Sequence, residues 1–362
     1  MKKISLCMIV KNEEKNLDKC LTSIKDAVDE IIIVDTGSTD KTKEVASNYT
    51  DKIYDFEWCN DFSKARNYSF DKASCPYIMW MDADDVASKE TVKEIKKWKK
   101  SEEGCDTLMC SYATSFDENH KPIFEYYRER IMKNIPVLRW KDPVHEVIIP
   151  WGKVVYNNKI VIYHDKKPKP YTTRNLDIYK KMLSDKVDFS PRQQFYYARE
   201  LYFNNLYDEA IHEFSKFLSS RKGWNENNIE ACLNLSKCYQ YKKEYENALT
   251  ALFGSFMYGV PKGEILFEIG NVFETIKDYP KAIYWYKQAL ASSPNLESGA
   301  FVNLNCYQLL PAIQLCVCYY QIGDLIQSRH YHEVAKSFNP NDENVLYNEK
   351  FFNNLDKKDK NK

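Results

Sequence analysis

Residues 80–85 read WMDADD and place three carboxylates directly after an apolar run. Carboxylates this close repel one another, and each raises the pKa of its neighbours unless a cation lies among them. Oxygen ligands suit Mg²⁺ or Mn²⁺, which proteins often bind through one or two carboxylates together with the phosphates of a substrate. The alternative is that Asp82, Asp84 and Asp85 only cap the following helix, where aspartate is favourable.

Three other polar segments also follow apolar runs, and they read KNEE at 11–14, DTGSTD at 35–40 and NDFSKARN at 60–67. The acidic residues of the first segment have an ordinary explanation, because they favour the dipole of the helix that they open. Asp35 suits a ribose or a base, since a carboxylate at a strand end accepts two hydrogen bonds. Arg66, one turn into a helix, is either a phosphate ligand or a solvated helix residue.

Alternating strands and amphipathic helices position these segments. The apolar pattern predicts strands at 4–10, 31–34, 52–56 and 77–81, with helices at 17–28, 41–49, 62–73 and 91–100. Residues 107–162 are richer in β-branched and aromatic side chains and predict further strands with irregular loops. This order predicts a Rossmann-like α/β domain with a mostly parallel sheet at 1–165. Ligands of such sheets bind at the carboxyl ends of the strands, where the four polar segments fall.

A second pattern begins at about residue 177 and is continuously helical. A motif of an aromatic residue, a small residue three positions later and a large residue four positions further begins at Tyr207, Tyr245 and Tyr279, with a degenerate copy at Leu325. It resembles the tetratricopeptide repeat, in which small residues let paired helices approach closely; the alternative is an unrelated helical bundle. We therefore expect a linker at 166–176, a tetratricopeptide-like helical repeat domain at 177–352 and a disordered tail at 353–362.

The composition argues against several classes of function. The 52 lysines and arginines balance the 52 aspartates and glutamates, so no overall basic field would bind nucleic acid. The apolar runs are far shorter than the roughly 20 residues of a membrane span. The first of them is interpreted as a strand rather than a signal peptide, because KNEEK follows it. The eleven cysteines lack paired CxxC spacing and predict reduced thiols in a cytoplasmic protein.

The segments SLCMIVKNEE, VDTGSTDKT, NDFSKARN and WMDADD, in this order and spacing, resemble the inverting family-two glycosyltransferases with the GT-A fold over roughly residues 4–165. With RWKDPVHE and the helical repeats, they resemble the bacterial subgroup that includes the sublancin-type peptide S-glycosyltransferases. The resemblance implies that a sugar moves by single displacement from a nucleoside-diphosphate sugar, expected to be a UDP-sugar, to an acceptor. Mn²⁺ or Mg²⁺ is the implied cofactor.

The resemblance also implies roles for individual positions. Those expected to bind the nucleotide sugar are Ile9, Val10, Asn12, Asp35, Arg66, Asp82, Ala83 and Arg130. Asp82 would face the ribose or the metal, Asp84 would bind the metal that bridges the diphosphate, and His164 would lie near both. Arg128 and Arg139 are further candidates for diphosphate contacts.

Inversion needs a general base that takes the proton of the acceptor as it attacks. Glu146 is the predicted base, and the adjacent His145 is its rival. Neighbours on a strand point to opposite faces, so only one of the two is expected to face the reaction. Glu146, His145 and His164 could instead be ordinary strand-end residues. The sequence has Asp-Pro at 142–143 where the subgroup usually has a glycine, which leaves the shape of this loop open.

The acceptor is expected to be presented by the helical repeats, whose concave surfaces suit an extended peptide or protein. A glycan or lipid-linked acceptor stays open, and a homodimer is compatible with the resemblance. Two other classes remain as alternatives. A sugar nucleotidyltransferase would share the sheet and the metal-bound carboxylates but consume a nucleoside triphosphate, whereas an inactive repeat-based interaction scaffold would make the carboxylates dispensable.

Overall fold

A computed structural model describes residues 1–116, 122–164, 172–295 and 302–360. By its contacts the chain forms two compact units, Met1–Val187 and Asp188–Lys362. The predicted linker at 166–176 lies largely outside the described residues. The helix Arg174–Ser184, which the sequence assigned mostly to the repeat domain, belongs to the first unit instead. Two contacts attach it there, since the ring of Tyr179 stacks on His145 and the guanidinium of Arg174 lies over the ring of Phe62.

The first unit contains a mixed sheet of eight strands. The strands are β1 (Ile4–Val10), β2 (Glu30–Asp35), β3 (Ile53–Asp55), β4 (Tyr77–Trp80), β5 (Asp85–Ala87), β6 (Thr107–Phe116), β7 (Pro122–Lys133) and β8 (Val154–His164). Their order is β3-β2-β1-β4-β7-β6-β8-β5. The first four are mutually parallel, and β7 pairs antiparallel with β4. This architecture confirms the predicted α/β class.

The helices of this unit are α1 (Leu17–Ile24), α2 (Thr42–Ser47), α3 (Phe62–Asp71), α4 (Lys89–Lys100) and α5 (Arg174–Ser184). Side chains alternate along β1, so Leu6 and Met8 enter one core cluster while Cys7 enters another. Both faces of the central strands are therefore covered, as their unbroken apolar sequences predict. Because β2, β1 and β4 are parallel neighbours, their carboxyl ends share one edge of the sheet.

The second unit is built from paired helices, as predicted. They are α6 (Pro191–Phe203), α7 (Tyr207–Ser220), α8 (Asn225–Tyr241), α9 (Tyr245–Gly254), α10 (Gly263–Thr275), α11 (Tyr279–Ala291), α12 (Leu309–Gln321), α13 (Leu325–Phe338) and α14 (Glu343–Lys360). Each copy of the repeat motif opens the second helix of a pair. The small residues of the motif are completely buried in all four copies, at Ala210, Ala248, Ala282 and Ser328. Among the described residues, no helix is long and apolar enough to cross a bilayer.

The predicted disordered tail is wrong over the described residues, because α14 continues from Glu343 to Lys360. Val345 and Phe352 are buried, so the apolar face of this helix reaches the point where disorder was expected to begin. One turn further, Asp356 accepts a hydrogen bond from Arg329 at 2.5 Å. The charged sequence after residue 353 therefore extends a helix that is anchored by its earlier turns.

Gly270→Ala is expected to destabilise the helical unit. A β-carbon at position 270 would lie 2.5 Å from Cε1 of Tyr286. That ring cannot easily move, because it is fully buried and its hydroxyl lies within donating distance of Oε2 of Glu274 (2.6 Å) and Oδ1 of Asn271 (2.7 Å). Overpacking of this kind costs about 1–3 kcal/mol, more than the roughly 1 kcal/mol that alanine adds in helix propensity. Urea unfolding followed by circular dichroism measures the difference.

Gly254→Ala is the matched control, since it also lies in a helix but a β-carbon there meets no atom within 4 Å. Its unfolding midpoint should be equal to or slightly above that of the wild type. Equal midpoints for the two variants would contradict the close approach of α10 and α11.

Lowering the pH is expected to reduce the stability of the helical repeat that contains α13, because of the buried His332. Burial lowers the pKa of this imidazole, which Glu333 and Glu349 partly oppose, and Nδ1 is buried without a hydrogen-bond partner among the described residues. The unfolded chain binds the proton at about pH 6.5, so the stability from neutral His332 is present above that pH and lost as the pH falls toward the folded pKa.

His332→Leu introduces the residue that the repeat has at the equivalent position 252. This variant should therefore lose less stability than the wild type when the pH falls from about 7.5 to 5.5. Thermal unfolding at the two pH values measures this. A wild-type protein with the flatter pH dependence would contradict the prediction.

Candidate functional site

The loops after β1 and β2 are tied together at the carboxyl edge of the sheet. Asn12 has a left-handed backbone with a φ of 56°. Its amide donates to Oγ of Ser38 at 2.9 Å, and its Oδ1 accepts from the amide of Thr39 at 2.8 Å. Val10, just before it, accepts at its carbonyl from the amide of Thr36 at 2.9 Å. These bonds bring the predicted nucleotide residues Ile9, Val10 and Asn12 beside the end of β2.

Asp35 ends β2 with only one of its two oxygens satisfied. Oδ1 accepts from the amides of Gly37 at 2.9 Å and Ser38 at 2.8 Å. Oδ2 is buried and has no hydrogen-bond partner among the described residues. A buried acceptor without a donor is costly, so this oxygen marks a place where a donor from a ligand would fit.

Arg66 joins two of the predicted site residues. Its Nε donates to Oε1 of Glu146 at 2.7 Å and its Nη2 donates to Oδ1 of Asp82 at 2.8 Å. The guanidinium lies 4.7 Å from the ring of Trp140 and 5.4 Å from that of Trp80. Arg66 is thus a buried, doubly paired cation rather than a solvated helix residue.

The Arg66 pairing determines the charge of Asp82. Burial by itself would raise the pKa of this carboxyl, but the neighbouring Arg66 and Arg130 guanidinium groups lower it to about 2. Burial by itself would lower the pKa of Arg66, but the carboxylates of Asp82 and Glu146 raise it above its ordinary value. Asp82 and Arg66 are therefore both charged at neutral pH.

Residues 141–147 form a closed loop that carries Glu146 to Arg66. Lys141 and Val147 exchange backbone hydrogen bonds at 2.9 and 3.0 Å, and Asp142 has a left-handed φ of 72°. The carbonyl of Pro143 accepts from the amide of Phe62, which attaches the loop to the start of α3. The expectation that His145 and Glu146 lie on a strand is wrong, since both are in this loop. His145 has a φ of 53° and its ring stacks on Tyr179, with centroids 6.4 Å apart.

Asp84 and His164 meet at the next position along the edge. Nδ1 of His164 lies 3.6 Å from Oδ1 of Asp84 and 3.1 Å from Oδ1 of Asp85. The ligand atoms of these three residues all lie within 4.8 Å of one another. Burial, together with the Asp82 and Asp85 carboxylates, raises the pKa of Asp84, and His164 only partly opposes this. A carboxyl whose pKa is raised by neighbouring carboxylates favours the binding of a cation, which relieves their repulsion.

The donor set fits a hard divalent cation such as Mg²⁺ or Mn²⁺. Asp84 supplies a carboxylate that is mostly covered, with no lysine or arginine within 4 Å among the described residues. A single carboxylate and an imidazole leave room for the oxygens of a diphosphate, which is how such ions are commonly bound. Asp84, Asp85 and His164 are the described residues that could hold such an ion, and the assignment of the metal to Asp84 and His164 stays a prediction.

The predicted role of Arg130 in binding the nucleotide sugar is not supported by its position. Arg130 has no exposed surface, and its Nη1 donates to Oδ2 of Asp85 at 3.1 Å and to the carbonyl of Trp80 at 3.2 Å. Arg139 donates to the carbonyl of Ile135 at 2.8 Å, so it too has a structural partner. Arg128 is a quarter exposed and pairs with Glu129. Arg139 keeps about as much exposed surface as Arg128, so of the three arginines only Arg130 has no surface for an anion.

The sequence interpretation missed the aromatic surroundings of the site. Trp80 was treated only as part of an apolar strand, yet it faces the guanidinium groups of Arg66, Arg128 and Arg130. Trp140 is held by Asn67, whose side chain bonds both the carbonyl and the amide of this residue at 2.9 Å. Ala83 is buried between the aspartates. The tryptophans beside DADD and within RWKDPVHE are the sequence feature that could have predicted these aromatic surroundings.

Residues 5–153 match the model of the family "Glycosyl transferase family 2". The matched segment contains Asp35, Arg66, Asp82, Asp84 and Glu146, while His164 lies beyond it. The first unit is therefore a glycosyl transferase family 2 domain, and the chain joins it to a unit of paired helices. The family resemblance predicted from the sequence is confirmed.

Two curated relatives share parts of this arrangement. A TPR repeat-containing protein of Synechococcus elongatus is 34% identical over 149 residues, which are 41% of this chain and 36% of that protein. The SPbeta prophage-derived glycosyltransferase SunS of Bacillus subtilis is 30% identical over 234 residues, 62% of this chain and 55% of SunS. The matches thus span about a third to a half of the relatives' length. A solved structure of MamA from Desulfovibrio magneticus aligns with 47% of this chain and 86% of its own, at 15% identity and a TM-score of 0.37.

Proposed function

We propose that the protein is a metal-dependent inverting glycosyltransferase. It transfers a sugar from a nucleoside-diphosphate sugar, a UDP-sugar by preference, to an acceptor by single displacement. The family membership of residues 5–153 and the glycosyltransferase name of the SunS relative support the general reaction. The free state of all eleven cysteines supports a cytoplasmic location.

One observation supports a nucleoside-diphosphate sugar as the donor substrate. An acceptor oxygen without a hydrogen-bond donor and a pair of residues that could bind a cation lie at the same edge of the sheet. Oδ2 of Asp35 is buried without a donor, and Asp84 with His164 forms the candidate metal pair. Asp35 and His164 are the last residues of β2 and β8, and Asp84 follows β4. A nucleoside supplies N–H or O–H donors for the first group, and its diphosphate supplies oxygens that share a cation with the second.

Glu146 is the residue that would receive the acceptor's proton. Its Oε1 accepts from Arg66, whereas Oε2 has no hydrogen-bond partner among the described residues and the side chain is 14% exposed. Arg66 fixes the carboxylate through one bond and leaves its second oxygen available. A positioned carboxylate of this kind typically contributes roughly 10²–10⁴-fold as a general base.

The departure of the nucleoside diphosphate places negative charge at this edge of the sheet. A divalent metal bound by Asp84 and His164 would neutralise that charge. Asp82 bonds Arg66 through Oδ1 and so helps to hold Arg66 and Glu146 in place, while its side chain, 31% exposed, keeps Oδ2 available to a ligand. The burial of Arg66 between Trp80 and Trp140 strengthens both ion pairs, because water is largely excluded.

The helical unit is proposed to bind the acceptor, and an extended peptide or protein segment fits best. A cavity of about 520 Å³ in this unit is lined by four amide side chains, at Gln240, Asn271, Gln314 and Gln321, together with Glu268 and Glu274. Amides both donate and accept, so they can pair with the backbone of an extended chain.

A panel of sugar nucleotides tests the proposal. The protein is incubated with each nucleotide and Mn²⁺, and the released nucleotide is identified by chromatography. Release of a nucleoside diphosphate from one sugar nucleotide, stopped by a chelator, is the expected result. Consumption of a nucleoside triphosphate with release of pyrophosphate would instead support the nucleotidyltransferase alternative, and no turnover of either substrate class would contradict the proposal.

A further inference from the structure

We propose that Asp85 is a positioning residue that does not bind the metal and that holds His164 in the tautomer that can. This inference rests on the proposed function, because it assigns His164 to the metal site. Asp85 is the third carboxylate of the WMDADD segment, and neither the sequence pattern nor the family match distinguishes it from its neighbours.

The surroundings of Asp85 leave it no capacity for a metal. Its side chain is completely buried. Oδ1 accepts from the hydroxyl of Tyr112 at 2.9 Å and lies 3.1 Å from Nδ1 of His164. Oδ2 accepts from the amide of Asp82 at 3.0 Å and from Nη1 of Arg130 at 3.1 Å. An ionised carboxylate has about four acceptor sites, and all of those of Asp85 are in use.

The contact with Asp85 determines which nitrogen of His164 carries a proton. A carboxylate only accepts, so Nδ1 must be the donor and Nε2 of the neutral ring keeps its lone pair. A metal binds through such a lone pair, and metal-binding histidines commonly donate their other ring N–H to a carboxylate. Asp84 lies further from Nδ1, at 3.6 Å, so the closer Asp85 is the acceptor of the ring N–H.

Arg130 and Tyr112 prevent Asp85 from turning toward the site. The guanidinium of Arg130 lies 3.7 Å from the ring of Trp80 and 4.2 Å from that of Tyr112, and it is completely buried. This explains why Arg130 is charged yet has no surface for a ligand. Its function follows from the chain of contacts: it holds Asp85, and Asp85 holds His164.

Asp85→Asn tests the inference because the surroundings determine the orientation of the new amide. The amide N–H of Asp82 and the guanidinium of Arg130 are obligatory donors, so the asparagine oxygen must take the place of Oδ2. The asparagine NH₂ then faces His164 and donates to Nδ1, which moves the ring proton to Nε2. The same exchange of a carboxylate for an amide produces the wrong histidine tautomer in serine proteases.

Two measurements follow from this. Long-range ¹H–¹⁵N correlation spectra of protein labelled with ¹⁵N-histidine, recorded without metal at a pH where the ring signals no longer change with added base, report the tautomer of His164. The signals are assigned with His164→Gln. We expect the Nδ1–H tautomer in the wild type and the Nε2–H tautomer in Asp85→Asn. Titration with Mn²⁺ alone, followed by the loss of the free-ion EPR signal, should show a 10–100-fold weaker affinity in the variant.

Asp84→Asn is the matched control, since it should weaken Mn²⁺ binding and leave the tautomer unchanged. An Nε2–H tautomer in the wild type, or weaker Mn²⁺ binding by Asp85→Asn with no change of tautomer, would overturn the inference. If Asp85→Asn does not fold because Arg130 loses its counter-charge, Asp85→Asn/Arg130→Met removes both charges and should show the same exchange of tautomer. A wild type that binds no Mn²⁺ would contradict the proposed metal site, while the tautomer would still decide the role of Asp85.

Discussion

Glu146→Gln is expected to bind the nucleotide as the wild type does and to lose most of its sugar transfer. Glutamine has nearly the same shape, and its Oε1 can still accept from Nε of Arg66, which Glu146 does at 2.7 Å. It cannot take a proton from the acceptor, so kcat should fall by roughly 10²–10⁴-fold while the Kd of the nucleotide changes little. Nucleoside diphosphate release and calorimetric titration of the nucleotide measure the two quantities.

Glu102→Gln removes an exposed glutamate of the same unit and serves as the control for Glu146→Gln. It should retain wild-type rates. The choice between the two predicted bases is decided by His145→Ala. If His145→Ala lost transfer and Glu146→Gln kept it, the assignment of the base to Glu146 would be wrong.

Asp84→Asn is expected to remove the metal dependence of turnover. The substitution keeps the size of the side chain and deletes the charge that pairs with the cation. Because a bound metal contributes several kcal/mol of charge stabilisation, kcat/KM at a fixed low Mn²⁺ concentration should fall by about 10²-fold or more. Rates measured across a range of Mn²⁺ concentrations show whether added metal rescues the variant.

Asp26→Asn, at an exposed position remote from the strand ends that carry the site, is the control for this measurement. It should keep the wild-type response to Mn²⁺. The far-UV circular dichroism of Asp84→Asn should match that of the wild type, since the helical unit lies outside the altered site. Wild-type turnover by Asp84→Asn would exclude this residue as a metal ligand.

Much of the fold could be predicted because its signals are local. The apolar run at 31–34 has no polar interruption, and it forms β2 with buried side chains on both faces. The small residues of the repeat motif predicted close helix pairing, and those four residues are completely buried. The end of the helical unit could not be predicted in the same way. The charged residues after 353 resemble a solvated tail, but the helix that contains them is anchored by the burial of Val345 and Phe352 and by the bond between Arg329 and Asp356.

The order of the elements and the chemistry available at the strand ends follow from the sequence alone: carboxylates after β4, Asp35 at the end of β2 and Arg66 in α3. Tertiary structure decided which of these groups meet. Arg66 and Glu146 are separated by 80 positions in the chain, and only packing brings them within 2.7 Å. Arg130 could not be distinguished from a ligand-binding arginine, because its charge suits both an anion and the buried Asp85.

The three aspartates of WMDADD show the same limit most clearly. They lie within four positions of the sequence and are identical in type, yet Asp82 is bound to Arg66, Asp84 lies beside His164 and Asp85 is buried against Arg130. A sequence pattern records residue type and spacing, whereas the pKa and the function of a carboxylate depend on burial and on the charges that surround it. The burial and the neighbouring charges are provided by α3, β6, β7, β8 and the loop at 141–147, which come from distant parts of the chain.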